Sequence, residues 1–389
     1  MLEGLAEVPW ATLTHAYGPA DDVPDLLRGL RVGDPAVAEQ ALEDLYASIT
    51  HQGTRYPATA PAVRFLAELA TAPDTPNRHH ILLLLAYAAV GTDWPSLPDS
   101  VDPGRLGDLA YAPGCGPGRR RDEVPWARAA YQAVAQVVPR LLGLLDDDDP
   151  RVRRAAAYLV AWFPQHAAAG LERLRARLAA EHDPNVNATM VVAVGLLAGA
   201  HGQVADAPVL AGLLGGPQPL VRWAAAIALA RLFVAAPPEP AVAELLGWAT
   251  GATSQPPEAD IPFHDGELGR YALAAAVRPE PAAHQWAVEA LLARLPMVGR
   301  AGEVEGLLWD LLGVTFDHDT FDRLLPRPRW EQLSRLQQRV LRAIADTDHL
   351  WQGDPEDPWA RDDPPPASNP LAAHGLPDTR AQLQAYVRL

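Results

Sequence analysis

The sequence contains no lysine, so all 32 of its basic residues are arginine. Schiff-base catalysis and a phosphate-binding loop of the Walker type both need a lysine, and both are therefore excluded. Cysteine is also scarce, because Cys115 stands alone and cannot form an internal disulfide. A single thiol is typical of a reducing compartment. Together these absences predict an intracellular protein without disulfides.

Membrane and secretory features are missing as well. The most apolar run, 81–90, is shorter than a bilayer-spanning helix requires. The first residues, Met1-Leu2-Glu3-Gly4, show no basic segment that leads into an apolar run, so they do not read as a secretory signal. We therefore expect a cytoplasmic protein with no membrane partner.

The charge balance disfavours one class of partner. A formal net charge of −16 is a poor match for a nucleic-acid backbone, which is bound through clustered basic residues. Arg119 to Arg121 form a local basic patch for which a solvated loop is the default interpretation. The hydrophobic content of 49% is sufficient for a large core. The high arginine, alanine and proline content is typical of a GC-rich genome.

Three stretches share a phrase in which a proline is followed two residues later by a valine. They are Asp149-Pro150-Arg151-Val152-Arg153, Asp183-Pro184-Asn185-Val186-Asn187 and Pro219-Leu220-Val221-Arg222. Their valines are 34 and 35 residues apart. A fixed period of this length indicates one helical hairpin stacked on copies of itself.

Each unit is predicted to hold two helices. In the clearest copy an apolar helix over 137–145 ends at an acidic turn, and a second helix runs over 150–163. Asp149 is placed to cap that second helix and Pro150 to occupy its first turn. Further units are predicted at 22–48, 59–90, 167–199, 205–234, 239–277 and 281–313.

Irregular tracts divide the chain. A loop insertion rich in Pro, Gly and Asp covers 92–125, a second irregular tract covers 252–265, and a Pro-rich linker and terminal helix cover 349–389. The predicted division is therefore N-terminal repeats over 1–91, the insertion, central and C-terminal repeats over 126–348, and the tail.

These units resemble HEAT repeats, in which an Asp at the turn and an Arg in the second helix link neighbouring repeats. Asp149 with Arg153 matches that pattern, and the chain also resembles HEAT-repeat proteins of high-GC actinobacteria. The resemblance implies an all-α fold, a right-handed α–α superhelix with a long loop insertion and a Pro-rich C-terminal segment. HEAT families are mostly binding scaffolds, although phycobilin lyase-type proteins and alkylpurine DNA glycosylases are enzyme-like relatives.

In HEAT arrays the second helices line the concave surface. Setting the three clear copies in register places an apolar and aromatic stripe there, which is typical of a groove for a helix or peptide. The stripe consists of Arg154, Tyr158, Trp162, Val192, Trp223, Ile227 and Arg231. The alternative is that the register is shifted by one and that these are core residues.

A second candidate site is polar. His51-Gln52-Gly53-Thr54-Arg55-Tyr56 has an echo in His264-Asp265-Gly266, which precedes Arg270 and Tyr271. If a polar binding site exists, its first candidates are His51, Arg55, Tyr56, His264, Asp265 and Tyr271. The alternative is a pair of inter-repeat turns in which Gly supplies an unusual backbone conformation.

No catalytic or metal-binding motif stands out. Asp317-His318-Asp319 is interpreted as an exposed acidic turn, because consecutive residues seldom point at one ion. We therefore predict no cofactor, no metal and no catalysis, and a scaffold that binds a protein or peptide on its concave face.

Two alternative functions remain. One is an immunity or regulatory protein that occludes one partner. The other is a glycosylase-like or lyase-like enzyme, and in the glycosylase case Trp223 would be the aromatic residue against a flipped base. The oligomeric state is left open.

Overall fold

The computed structural model describes residues 1–91, 123–233, 235–263, 268–277, 281–298, 301–316, 327–352 and 364–388. Regular structure in these ranges is almost entirely helical. The strands are β1 (Thr14–His15) and β2 (Gly18–Pro19), which pair antiparallel with Thr14 opposite Pro19. The all-α fold is confirmed, with this short hairpin added before the first repeat.

The chain divides into two compact units, each with its own packed helices. The first unit comprises Met1–Phe233, Pro237–Ala241 and Gln255–Glu267, and the second comprises Val234–Ala236, Val242–Ser254 and Leu268–Leu389. Helices of the first unit are α1 (Val23–Gly29), α2 (Pro35–Ile49), α3 (Thr59–Thr71), α4 (Arg78–Val90), α5 (Glu123–Leu141), α6 (Pro150–Val160), α7 (Ala167–Leu178), α8 (Pro184–Ala200), α9 (Ala207–Leu213) and α10 (Pro219–Leu232). The later helices are α11 (Glu239–Ala249), α12 (Leu268–Val277), α13 (Pro281–Arg294), α14 (Ala301–Phe316), α15 (Arg335–Asp346), α16 (Ser368–Ala373) and α17 (Arg380–Tyr386).

Helices of the first unit alternate between two layers. The even-numbered helices form what we call the second-helix layer, in which α4 packs on α6, α6 on α8 and α8 on α10. The odd-numbered helices form the other layer, where α3 packs on α5. The helical hairpins predicted at 22–48, 59–90, 167–199 and 205–234 are confirmed. The packing of each second helix on the next copy is typical of a solenoid.

The second helices begin where local chemistry places them. The carboxylates of Asp34, Asp149 and Asp183 each accept a hydrogen bond from the backbone N–H two residues later, at 3.0, 2.9 and 2.9 Å respectively. In each case a proline follows at the first helical position, where its missing N–H is no loss. The cap predicted at Asp149 is confirmed.

The link between neighbouring repeats differs from the one that the resemblance implied. Arg153 donates to the backbone carbonyls of Asp147 and Asp148 at 2.8 and 3.0 Å, and it pairs with Glu181 of the next repeat at 2.8 and 3.0 Å. Asp149 is not its partner, because that carboxylate caps its own helix and pairs with Arg151. Burial alone would raise the pKa of Glu181, but hydrogen bonds from Arg153 and from two backbone N–H groups lower it to about 2. The repeats are therefore joined by a buried arginine–glutamate pair.

α8 and α10 approach each other unusually closely. A Cβ built on Gly195 would lie 2.5 Å from Ala228 Cα and 2.6 Å from Ala228 Cβ. Only glycine allows this contact, because real Cβ atoms do not come so near to another backbone. The middle parts of both helices are apolar on all sides, and a helix of that kind is buried.

The second unit is packed around α14. Its core includes Leu308, Leu311 and Leu312 of that helix together with side chains from α13, α15, α16 and α17. The segment predicted as a Pro-rich linker is helical over Ser368–Ala373, and Leu371 is fully buried, so for these residues the linker prediction is wrong. α17 packs on α15 and buries Leu383, so the terminal helix is docked within this unit.

α15 was missed by the repeat pattern although the sequence carries a signal for it. Ser334 and Gln337 form a reciprocal capping box, in which each side chain accepts a hydrogen bond from the other's backbone N–H. The Ser-x-x-Gln spacing before an amphipathic run is the sequence signature of such a start.

Candidate functional site

The residues of the predicted stripe are mostly buried. Arg154 and Arg231 are partly exposed, whereas the other five side chains are at most 2% exposed. Those five are Tyr158, Trp162, Val192, Trp223 and Ile227. The expectation of a solvent-exposed stripe is therefore wrong, and the alternative that these are core residues describes the apolar members. Burial of Trp223 also removes the aromatic on which the base-excision alternative depended.

A segment of the same chain covers part of the second-helix layer. Residues Gln255–Phe263, which we call the cis segment, belong to the first unit. Asp260 pairs with Arg154 of α6 at 2.5 Å. The side-chain amide of Asn185 on α8 accepts from the backbone N–H of Asp260 at 2.8 Å and donates to the carbonyl of Glu258 at 3.1 Å. The cis segment is thus held by an ion pair and by a two-point contact to its backbone.

The end of the cis segment is an aromatic anchor. Phe263 is fully buried, and its ring centroid lies 4.9 Å from that of Tyr158 and 5.8 Å from that of Trp162. Tyr158 and Trp162 themselves meet edge to face at 5.7 Å. Edge-to-face arrangements are favourable beyond the area that they bury. Tyr158 and Trp162 therefore lie together, and Phe263 of the same chain packs on both rings.

An open apolar pocket of about 360 Å³ lies between α2 and α4 in the same layer. Its aromatic wall is formed by Tyr46 and Tyr87, whose ring centroids are 5.4 Å apart at an interplanar angle of 88°. The complete lining is Leu42, Glu43, Tyr46, His80, Leu83, Leu84 and Tyr87. Sequence reasoning missed this pocket, because these side chains have the helical spacing of ordinary core residues.

Charged groups act on the lining of the pocket. Burial lowers the pKa of the His80 imidazole, and the charges of Arg151 and Arg154 lower it further. The charges of Glu39 and of Asp260 in the cis segment oppose this effect, so His80 links the pocket electrostatically to the cis segment.

Glu43 of α2 also lines the pocket, and it is exposed. Within the described part of the chain it makes no hydrogen bond or ion pair. The pocket is thus apolar inside and acidic along α2.

The polar candidates His51, Arg55 and Tyr56 form the connection from α2 to α3. Gly53 has a φ of 73°, and the guanidinium of Arg55 donates to its carbonyl at 2.8 Å. Arg55 is buried, and a Cβ on Gly91 would collide with its guanidinium. The turn alternative, with Gly in an unusual conformation, describes this geometry. Of the echo, Tyr271 is buried in the second unit, and His264 and Asp265 lie outside the described residues.

Among the described residues, no group of three or more His, Cys, Asp or Glu side chains is arranged to hold an ion. No helix in the same ranges is long and apolar enough to cross a membrane. Cys115, the arginines 119–121 and the acidic turn 317–319 fall outside the described residues.

Comparison with known proteins agrees with the helical hairpins. The HEAT repeat family model matches residues 137–161, which include the end of α5 and all of α6. Residues 137–161 therefore match a HEAT repeat within an all-α fold. A solved complex of CpcE and CpcF of phycocyanin lyase from Nostoc sp. PCC7120 is similar at 18% identity and a TM-score of 0.43, over 84% of this chain and 95% of that chain. A comparison with curated proteins gave no match.

Proposed function

We propose that the protein is a non-catalytic scaffold that binds a segment of a partner protein on its second-helix layer. An apolar side chain of the partner occupies the pocket between α2 and α4. The observation that carries this proposal is the open apolar pocket itself, in a layer that already holds a non-helical segment of the same chain.

The pocket has the size and lining of an anchor site. Its volume of about 360 Å³ lies at the lower end of the roughly 300–1,000 Å³ usual for ligand sites, so it suits one or two large side chains. Tyr46 and Tyr87 already contact each other edge to face, so the wall is ordered before a partner arrives. Pockets of this type hold the aromatic or aliphatic anchors that dominate binding at protein interfaces.

The acidic residues at the pocket indicate which charge a partner should carry. Glu43 lines the pocket and Glu39 lies one helical turn before it, while the whole chain carries a net charge of −16. We expect the partner to carry a basic residue beside its apolar anchor, because opposite charge steers association and fixes orientation. The same chemistry serves the regulatory alternative, in which the protein occludes one specific basic target.

The test is selection of linear peptides against the full chain from a displayed library. Leu83→Glu, which places a charge in the pocket, is expected to weaken the selected peptides at least tenfold, and Glu43→Arg is expected to weaken those that carry a basic residue. Val209→Glu is the matched control, because Val209 is 66% exposed on α9 in the other layer.

Circular dichroism and thermal unfolding establish that each variant is folded. If Leu83→Glu leaves binding unchanged, or if Val209→Glu reduces it equally, the pocket is not the binding site.

A further inference from the structure

The cis segment is bound in the way in which proteins bind peptides. Asn185 offers one donor and one acceptor, and these meet the carbonyl of Glu258 and the N–H of Asp260. A side-chain amide carries both donors and an acceptor, so it can bind a peptide backbone at two points whatever the side chains of that backbone are. Arg154 and the aromatic pair then select a carboxylate and, three residues later, an aromatic ring. In a general mode of peptide recognition, contacts to the backbone provide affinity and separate side-chain pockets provide specificity.

We propose that Arg154, Asn185, Tyr158 and Trp162 form a second recognition site, distinct from the α2–α4 pocket, for a non-helical segment with a carboxylate three residues before an aromatic side chain. The cis segment occupies this site within the free protein. A partner segment of the same chemistry takes its place. None of these four residues lines the pocket, so either proposal can fail while the other stands.

The contacts of the cis segment are exchangeable. Asp260 is exposed over 63% of its side chain, so its ion pair with Arg154 is partly solvated. Exposed ion pairs contribute little to stability and can be replaced. Most of the cis segment before Ile261 is exposed. Its buried residues are Ile261 and Phe263. A competing peptide therefore has to replace two buried apolar side chains, one ion pair with Arg154 and two hydrogen bonds with Asn185.

The cis segment also leaves one group of the site unsatisfied. Trp162 is buried against Phe263, and its indole N–H has no hydrogen-bond partner among the described residues. A buried donor without an acceptor is unfavourable. A partner segment that brings an acceptor to this N–H would bind better than the cis segment does.

Because the cis segment is tethered to its site, a partner needs a high affinity to displace it. A segment joined to its site by the chain has an effective concentration in the millimolar range, so a peptide of equal intrinsic affinity competes poorly with it. A partner that also fills the neighbouring α2–α4 pocket gains contacts that the cis segment does not make. The chain thereby discriminates against short acidic-aromatic segments.

The test uses a fluorescent peptide of residues 255–263 and the full chain in which these nine positions are replaced by Gly and Ser. We expect the replaced chain to bind the peptide in fluorescence polarisation. The affinity of the wild-type chain for the same peptide should be lower by roughly 100-fold or more. The peptide carrying Phe263→Ala should bind at least tenfold more weakly than the parent, and the peptide carrying Asp260→Ala should show a smaller loss. Asn185→Ala in the replaced chain should weaken binding, whereas Asn187→Ala, on the same helix and without a hydrogen bond to the segment, should not.

Three results would overturn the proposal. The first is a replaced chain that keeps its helical content and thermal transition but does not bind the peptide. The second is an equal effect of Asn185→Ala and Asn187→Ala. The third is a wild-type dimer in light scattering that dissociates when the segment is replaced, because the occupant is then a second copy of the chain.

Hydrogen exchange of the wild-type chain keeps the test open if the replaced chain does not fold. We expect the amide of Asp260 to exchange through a local opening, much faster than the amides in the middle of α8. If both exchange at the same slow rate, the segment is an integral part of the core and the proposal is wrong.

Discussion

The buried pair of Arg153 and Glu181 provides a sharp test of how the repeats are joined. Arg153→Met removes the guanidinium but keeps much of the side-chain volume. Glu181 would then remain buried with only the backbone N–H groups of His182 and Asp183 as partners. Breaking a buried pair in this way typically costs about 3–5 kcal/mol, because a charge is left without compensation.

The lowered pKa of Glu181 also indicates how much its interactions contribute to the free energy of unfolding. Lowering it from 4.5 to about 2 corresponds to about 3–4 kcal/mol, at about 1.4 kcal/mol per pKa unit. Since the folded pKa lies below the unfolded one, the unfolded chain binds the proton first as the pH falls. This contribution is therefore complete above about pH 4.5 and is lost progressively as the pH falls towards 2.

Urea unfolding followed by circular dichroism measures both effects. Arg151→Met is the matched control, because Arg151 lies on the same helix and pairs with Asp149 while its side chain is 62% exposed. We expect that control to cost at most about 1 kcal/mol. In Glu181→Gln the loss of stability between pH 4.5 and 2 should be smaller than in the wild type. Equal costs for the two arginine variants, or an unchanged pH dependence in Glu181→Gln, would refute the reasoning.

Three further predictions concern the first unit. Gly195→Ala should destabilise it by about 1–3 kcal/mol in urea unfolding, because the new Cβ meets Ala228, whereas Gly212→Ala, with open space around it, should be neutral or stabilising. Asp183→Ala should cost about 1 kcal/mol by the same measurement, since two backbone N–H groups lose their cap; an unchanged value would show that the cap is dispensable. Burial, with the charges of nearby basic groups, lowers the pKa of His79 to about 4, so stability should decline as the pH falls from about 6.5 to 4, and His79→Gln should show a shallower decline in a pH series.

Much of the fold was accessible from sequence because its determinants are local. The Asp-Pro starts of α6 and α8 are set by contacts between residues two apart, and these were predicted. The partner of Arg153 was not, since Glu181 lies 28 residues away in the next turn and no spacing rule identifies it. For the same reason the resemblance suggested the wrong acidic residue.

The candidate site was predicted less well than the fold. Helical register placed Tyr158 and Trp162 on one side of α6 but could not show what covers them, because Phe263 is about a hundred residues further along the chain. The tract that contains Phe263 reads as an irregular Pro-rich loop, without a periodic pattern to indicate docking. Burial of an irregular segment depends on tertiary contacts that a single sequence does not display.

The aspartate caps of α2, α6 and α8 have a consequence for how the chain folds. Each cap closes a ring between a side chain and a backbone N–H two residues away, so a helix start forms without waiting for contacts from distant parts of the chain. Contacts of such short range require little loop closure and are made early. Folding of the first unit can therefore begin at any of three places and spread to neighbouring hairpins. A change that destroys one start would slow this process less than the loss of equilibrium stability suggests.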